Sequence, residues 1–360
     1  MPPISPLIDS HIHLFRPRDL PTLAWQTPQG PLHAAHDLSD YISAISPIPA
    51  SFAGFIFVET DRKYTDPKDT SGADDLSAWE HVLEEYRYVL QLSKHADEGH
   101  RGLVRGIVPW APLHLGRAAM QRYQKLLDSV DREVYGGEQH GLLVGYRYLL
   151  QDKPRGTVTA PEFIEGLEFV RDTGRVFDLG VDVNSGGLWQ LDEAVQALKR
   201  VDGLKVVVNH LSKPPLGRVP EEGGMEKWEE LMRETSGLKN VVVKLSGGFA
   251  ELPEGVAKPV NGQLPEDEVV DIVFQYVLPI FKLFGPRRVV WASDWPVCGI
   301  RYGEIMGQQK GAWQDWLSIS RKIVGKLLDE GGIDSELEDW EGIWGQNAVR
   351  AYSLPEVAVK

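Results

Sequence analysis

The sequence predicts a (β/α)8 barrel, and three observations predict it. Short apolar segments rich in β-branched and aromatic residues recur eight times. Longer stretches with apolar residues at helical spacing separate them. No low-complexity linker interrupts the 360 residues, so one domain over 1–360 is expected. A doubly wound open sheet is the second choice.

The strands read, in order, as 7–14, 54–60, 103–110, 141–149, 176–183, 204–210, 240–245 and 288–293. Several are apolar almost throughout, as in Gly54-Phe55-Ile56-Phe57-Val58, the pattern of parallel strands covered on both faces. Between 77 and 97, Trp79, Val82, Leu83, Tyr86, Val89 and Leu90 form one helical stripe. Segment 161–173 opens with Pro-Glu, which suits a first helical turn. Segments 188–201, 226–235, 266–284 and 308–328 repeat the helical pattern, and a last helix is expected over 334–352. The Pro- and Gly-rich stretches 16–31 and 252–265 read as long loops after strands one and seven.

Lys and Arg number 38 against 52 Asp and Glu, a net charge of −14. Such a chain repels phosphate backbones and anionic lipid surfaces, which excludes nucleic acid and membrane as expected partners. The single cysteine, Cys298, rules out an intrachain disulfide framework and suits a reducing compartment. There is no basic-then-apolar leader and no 18-residue apolar run, so a cytoplasmic protein acting on a small molecule is expected. Assembly as a homo-oligomer stays open.

The chemistry-bearing residues fall at strand ends. His11 and His13 alternate along strand one, so both imidazoles face one side and could share a divalent cation, or could both be structural. His210 follows Val206-Val207-Val208-Asn209, and Asp294 follows Val289-Val290-Trp291-Ala292-Ser293. Strand eight closes against strand one in a barrel, which puts Asp294 beside the histidine pair. There it could ligate a metal, take a proton from water, or simply form a turn before Pro296.

With these four residues the chain resembles the amidohydrolase superfamily, in its amidohydrolase-2, lactonase-like branch. The carriers are Asp-Ser-His-Ile-His-Leu-Phe at 9–15, Tyr-Arg-Tyr-Leu-Leu-Gln at 146–151, Phe-Asp-Leu at 177–179, Asn-His-Leu-Ser-Lys-Pro at 209–214, Val-Lys-Leu-Ser-Gly at 243–247 and Ser-Asp-Trp-Pro-Val at 293–297. Val58-Glu59 and Val108-Pro109-Trp110-Ala111-Pro112 are similar to members of the L-rhamnono-γ-lactonase type. The resemblance implies a TIM barrel with its site at the C-terminal mouth, hydrolysing a sugar lactone or a pyrone-type lactone. It implies one divalent ion, Zn²⁺ or else Mn²⁺, with His11, His13, His210 and Asp294 as site residues. Asp294 would be the general base, and Arg147 would contact a substrate carboxylate or carbonyl. Two departures limit the metal count to one at most. Arg147 stands where binuclear members carry a carboxylated lysine, and Asn209 stands where relatives often carry Asp.

Four further residues complete the candidate site. Glu59 ends strand two and, from the parity of Phe55 and Phe57, is expected to point inward. A buried carboxylate needs a counter-charge, which a metal or Arg62, Lys63 or Arg147 could supply. Arg147 and Lys244 end strands four and seven; each could bind substrate or pair with Glu59 or Asp182. Trp25 and Trp110 could wall a sugar ring or belong to the core. The competing functions are a decarboxylase of an aromatic or unsaturated acid, a metal-independent lactone hydrolase, and a binding protein without activity. The intact histidine–aspartate constellation speaks against the last.

Overall fold

Eight parallel strands alternate with helices around one closed barrel. They are β1 (Leu7–Ile12), β2 (Phe52–Val58), β3 (Val104–Val108), β4 (Gly145–Arg147), β5 (Val176–Leu179), β6 (Lys205–Val208), β7 (Val241–Leu245) and β8 (Val289–Trp291). The structure, a computed structural model, describes residues 6–68, 71–137, 140–214, 224–253, 255 and 258–356. Ladders join β1 to β3 and β4 to β8, all parallel. Two seams close the ring. At β3–β4, Ile107 N–H donates to Leu142 O at 2.7 Å and Arg147 N–H to Pro109 O at 2.9 Å. At β8–β1, His13 N–H donates to Trp295 O at 2.8 Å and Asp294 N–H to His11 O at 3.0 Å.

Every expected strand is present. Most are shorter than the apolar pattern suggests, because the polar residues at their C-terminal ends leave the ladder to form the mouth. The helix expected over 266–284 is Glu266–Phe284, and that over 161–173 is Pro161–Asp172. A helix the pattern did not single out, Gly116–Tyr135, fills the β3–β4 crossover; it buries Ala119, Met120, Tyr123, Leu127 and Val130 as a narrow stripe among polar residues. The helix expected over 334–352 is instead broken into Leu337–Glu341, a 3-10 turn Gly342–Trp344, and Gln346–Tyr352. The break lies at Gly345, where a Cβ would sit 2.1 Å from the Pro6 carbonyl oxygen, so only a glycine lets the two backbones pass.

Side chains sort into two shells by strand parity. Ile8, Ile56, Val58, Val108, Val144, Val176, Val207 and Val290 form one cluster that draws on strands all round the ring, which places it in the lumen. Ala348, Val349, Tyr352 and Leu354 join it from the C-terminal segment and plug the bottom. Phe55, Phe57, Val206, Val208, Val243, Val289 and Trp291 belong to the larger cluster that faces the helices. Burying each such aliphatic or aromatic side chain stabilises the fold by about 1.5–3 kcal/mol. Among the described residues, no helix is long and apolar enough to cross a membrane.

Candidate active site

A bulge in β1 sets the direction of the two leading histidines. The pairing of β1 with β2 slips between Asp9 and Ile12, inserting one extra residue. Ile8 faces the lumen and Ile12 faces the helices, so His11 and His13 turn inward while Asp9 stays outside. Asp9 then ties the seam together. Its carboxylate accepts hydrogen bonds from Ser293 N–H at 2.8 Å, Ser293 Oγ at 2.6 Å, Tyr41 Oη at 2.9 Å and Trp313 Nε1 at 2.8 Å.

His210 opens a run of four left-handed residues, His210, Leu211, Ser212 and Lys213, with φ between 49° and 65°. Such a run of non-glycine residues costs on the order of 1–2 kcal/mol per residue, and strain of this kind gathers at functional sites. Here it swings the His210 ring over the mouth, where Nδ1 meets Ser246 Oγ at 2.7 Å. Gly247 makes room: a Cβ there would lie 3.0 Å from His210 Cβ and 3.1 Å from its Nδ1. Asp294 is also left-handed, at φ 62°.

These turns bring the donor atoms together. Asp294 Oδ1 lies 3.6 Å from His11 Nε2, 3.5 Å from His13 Nε2 and 3.7 Å from His210 Nε2. The two Nε2 atoms of His11 and His13 are 3.1 Å apart. Burial drives the His11 imidazole well below its ordinary range, helped by the Lys244 ammonium, and drives His210 down to about 3. Burial alone would raise the Asp294 carboxyl, but the surrounding His210, His13 and Lys213 more than offset that and hold it at about 2. At neutral pH the Asp294 carboxylate thus faces the neutral imidazoles of His11 and His210.

A polar layer beneath fixes these rings. Asp178, fully buried on β5, accepts from Lys244 Nζ at 2.8 Å, Asn209 Nδ2 at 2.6 Å and Tyr352 Oη at 2.6 Å. With its amide nitrogen committed to Asp178, Asn209 presents Oδ1 to His11 Nδ1 at 3.2 Å. His13 Nδ1 faces the Val58 carbonyl oxygen at 2.9 Å. That carbonyl only accepts, so in the neutral ring the proton sits on Nδ1 and the Nε2 lone pair is bare.

The profile of the family described as "Amidohydrolase" matches residues 8–354. The chain belongs to this family. An L-rhamnono-gamma-lactonase of Scheffersomyces stipitis is 31% identical over 97% of this chain and 98% of its own. An L-fucono-1,5-lactonase of Burkholderia multivorans is 27% identical over 60% of this chain and 64% of its own. Among solved structures, an amidohydrolase from Burkholderia multivorans with bound zinc superposes with a TM-score of 0.67 at 21% identity, covering 98% of this chain and 100% of that one. At that identity the likeness speaks for the fold.

The donor set of this amidohydrolase suits a divalent cation. Buried ligand atoms of His11, His210 and Asp294 all lie within 4.8 Å of one another, and His13 Nε2 adjoins them. When His11 donates from Nδ1 to Asn209, its Nε2 lone pair opposes that of His13 at 3.1 Å, an arrangement that calls for a cation between them. When Lys244 Nζ donates to the same Nδ1 at 3.1 Å instead, the proton moves to Nε2 and is shared with His13, which satisfies the metal-free ring. Three imidazole nitrogens and a carboxylate oxygen are ligands that Zn²⁺ accepts, and Mn²⁺ tolerates.

Three expectations need correction. Glu59 stands outside the converging group: its Oε1 lies 3.0 Å from Arg147 Nε, and its Oε2 accepts from Asp61 N–H at 2.5 Å. It does line the cavity, although not by parity, since Phe55 and Phe57 face the helices; the chain leaves the ladder at Val58 and turns Glu59 inward. Burial raises its carboxyl against the pull of Arg147. Lys244, read as a substrate contact or an ion-pair partner of Glu59 or Asp182, is 0% exposed and pairs with Asp178 below the cavity floor. Trp110, for which a sugar wall or the core was open, is core and not a wall: it packs on Trp79 and Tyr123 with ring centroids 6.2 and 5.6 Å away.

Arg147 and Trp25 do line the cavity, of about 240 Å³, together with Phe15, Asp61, Gln151 and Lys213. Arg147 Nη1 also comes within 3.4 Å of His11 Nε2. Asp178, Ser246 and Asp61 were not singled out as site residues. The first two carry the motifs Phe-Asp-Leu and Val-Lys-Leu-Ser-Gly, so strand-end placement was the available signal; nothing in the sequence marked Asp61.

Proposed function

We propose that this amidohydrolase opens the ring of a sugar lactone, using one divalent cation held by His11, His13, His210 and Asp294. The observation that carries the reading is the Asp294 carboxylate, ionised at neutral pH and within 3.5–3.7 Å of three imidazole nitrogens on the wall of a cavity that fits a small molecule. When bound, the cation supplies Lewis acidity, polarising the lactone carbonyl and acidifying the water beside it.

The residues of this chain do the rest. Asp294 accepts the proton of the attacking water and returns it to the ring oxygen as the ester bond breaks. His13 is held in the ligating tautomer by the Val58 carbonyl, and His11 by Asn209 on Asp178. His210 completes the ligand set, with Ser246 orienting its ring. Arg147, anchored by Glu59, borders the carbonyl side of the cavity. The relatives named as rhamnono- and fucono-lactonases support sugar lactones as the substrate class.

Purified protein is to be assayed on a panel of γ- and δ-lactones with a pH indicator, with and without chelator, alongside elemental analysis. Acid release that chelator abolishes, with about one metal ion per chain, is the expected result. Release of CO₂ from an aromatic acid without lactone hydrolysis would replace the reading with a decarboxylase. Chelator-resistant hydrolysis by metal-free protein would leave Asp294 as base and remove the cation.

A further inference from the structure

The loop after β2 carries a carboxylate that the reaction above does not use. Asp61 lines the same cavity, and among the described residues its side chain has no hydrogen bond; charged neighbours act on it only at a distance. Its backbone is left-handed at φ 54°, a conformation that Asp adopts more readily than most non-glycine residues. Two contacts hold it: Asp61 N–H donates to Glu59 Oε2 at 2.5 Å, and Ala24 N–H donates to Asp61 O at 2.8 Å. The next contact along the rim fixes Trp25, whose Nε1 donates to Thr60 O at 2.8 Å. An indole 41% exposed and an unengaged carboxylate are thus held in register on one rim of the cavity.

The charges on the wall point the same way. Arg147 is taken up by Glu59 at 3.0 Å, and Lys213 lies 3.7 Å from both Asp182 and Glu251. Both cations lining the cavity have carboxyl groups of the wall beside them, whereas the Asp61 side chain has no hydrogen bond among the described residues and only Lys153 and Arg147 pull on it from farther off. Beside Asp61 the rim therefore favours O–H donors over an anionic substituent. Two carboxylate oxygens accept a pair of neighbouring hydroxyls, and an aromatic face covers the C–H side of a polyol.

We propose that Asp61 and Trp25 form a subsite that reads vicinal hydroxyls, which makes the substrate a neutral polyhydroxylated lactone rather than one bearing a carboxylate. The proposal rests on the reading that a lactone enters this cavity, and it revises the expectation that Arg147 binds a substrate carboxylate.

The test compares a neutral dihydroxylated γ-lactone with unsubstituted γ-butyrolactone on wild type, Asp61→Asn and Trp25→Ala. Asparagine tolerates the left-handed backbone, and Trp25 is half exposed, so each variant checks the other if one fails to fold. Wild type should prefer the hydroxylated lactone. Asp61→Asn should reduce that preference, read as the ratio of kcat/KM values, roughly 10–100-fold, as for a lost hydrogen bond to a charged group. A lactone bearing a carboxylate should gain on Asp61→Asn relative to wild type. An unchanged ratio would overturn the proposal. Calorimetric binding of a 1,4-anhydroalditol, which cannot be hydrolysed, separates this from failure of the hydrolase reading. Binding to wild type that weakens in Asp61→Asn supports the subsite even if no lactone is opened, and no binding to wild type refutes it.

Discussion

Replacing Asp178 by Asn tests whether the layer beneath the site is held together as described. Asp178 is fully buried and accepts from Lys244, Asn209 and Tyr352 at 2.6–2.8 Å. Burial pushes its carboxyl up, but Lys244 more than offsets this and keeps it ionised; burial in turn lowers the Lys244 ammonium, with Asp178 pulling it part of the way back. Asn keeps the shape but strands the ammonium, and its NH₂ meets a donor where an acceptor stood. Orphaning one member of a buried ion pair costs about 3–5 kcal/mol. For 360 residues the unfolding entropy is about 0.75 kcal/mol per kelvin, so the melting temperature should fall by about 4–7 °C.

Scanning calorimetry of Asp178→Asn and of Asp178→Asn/Lys244→Met decides the matter. The double variant removes the stranded charge and should recover most of the lost stability. Its activity should stay low, because Asn209 remains without the anchor that aims its oxygen at His11. A single variant that loses less than about 1 kcal/mol would refute the reasoning, as would a double variant no more stable than the single.

Two further outcomes are expected. Asp294→Asn should keep its fold, because the residue sits on a loop above a separately packed lumen, while kcat falls roughly 10²–10⁴-fold; near-normal turnover would remove Asp294 as base. In metal-stripped protein, stability should decline as pH falls below about 6.5, because His11 and His210 are lowered in the folded chain while their unfolded counterparts take up protons there. Each contributes at most about 1.4 kcal/mol per pH unit, so melting curves at pH 7.5 and 5.5 that coincide would show that the rings are not buried neutral.

The sequence by itself determined the barrel and the four residues of the candidate site. Apolar runs repeat eight times because parallel strands covered on both faces must be apolar, and His11, His13, His210 and Asp294 stand out because polar residues end those runs. Tertiary structure decided which polar residue meets which. Parity counted from Phe55 and Phe57 suggested the direction of Glu59, but those rings face the helices, and the chain turns the carboxylate inward after the strand ends. The bulge that turns His11 and His13 inward is a matter of register against β2, which no local pattern in β1 encodes. Asp178 and Lys244 lie 66 residues apart in the chain and 2.8 Å apart in space, and Asp61 gains its meaning from Trp25 on another loop. Periodicity is a property of neighbours along the chain, whereas a charge finds its partner across the barrel, where burial makes an unpaired one too costly to keep.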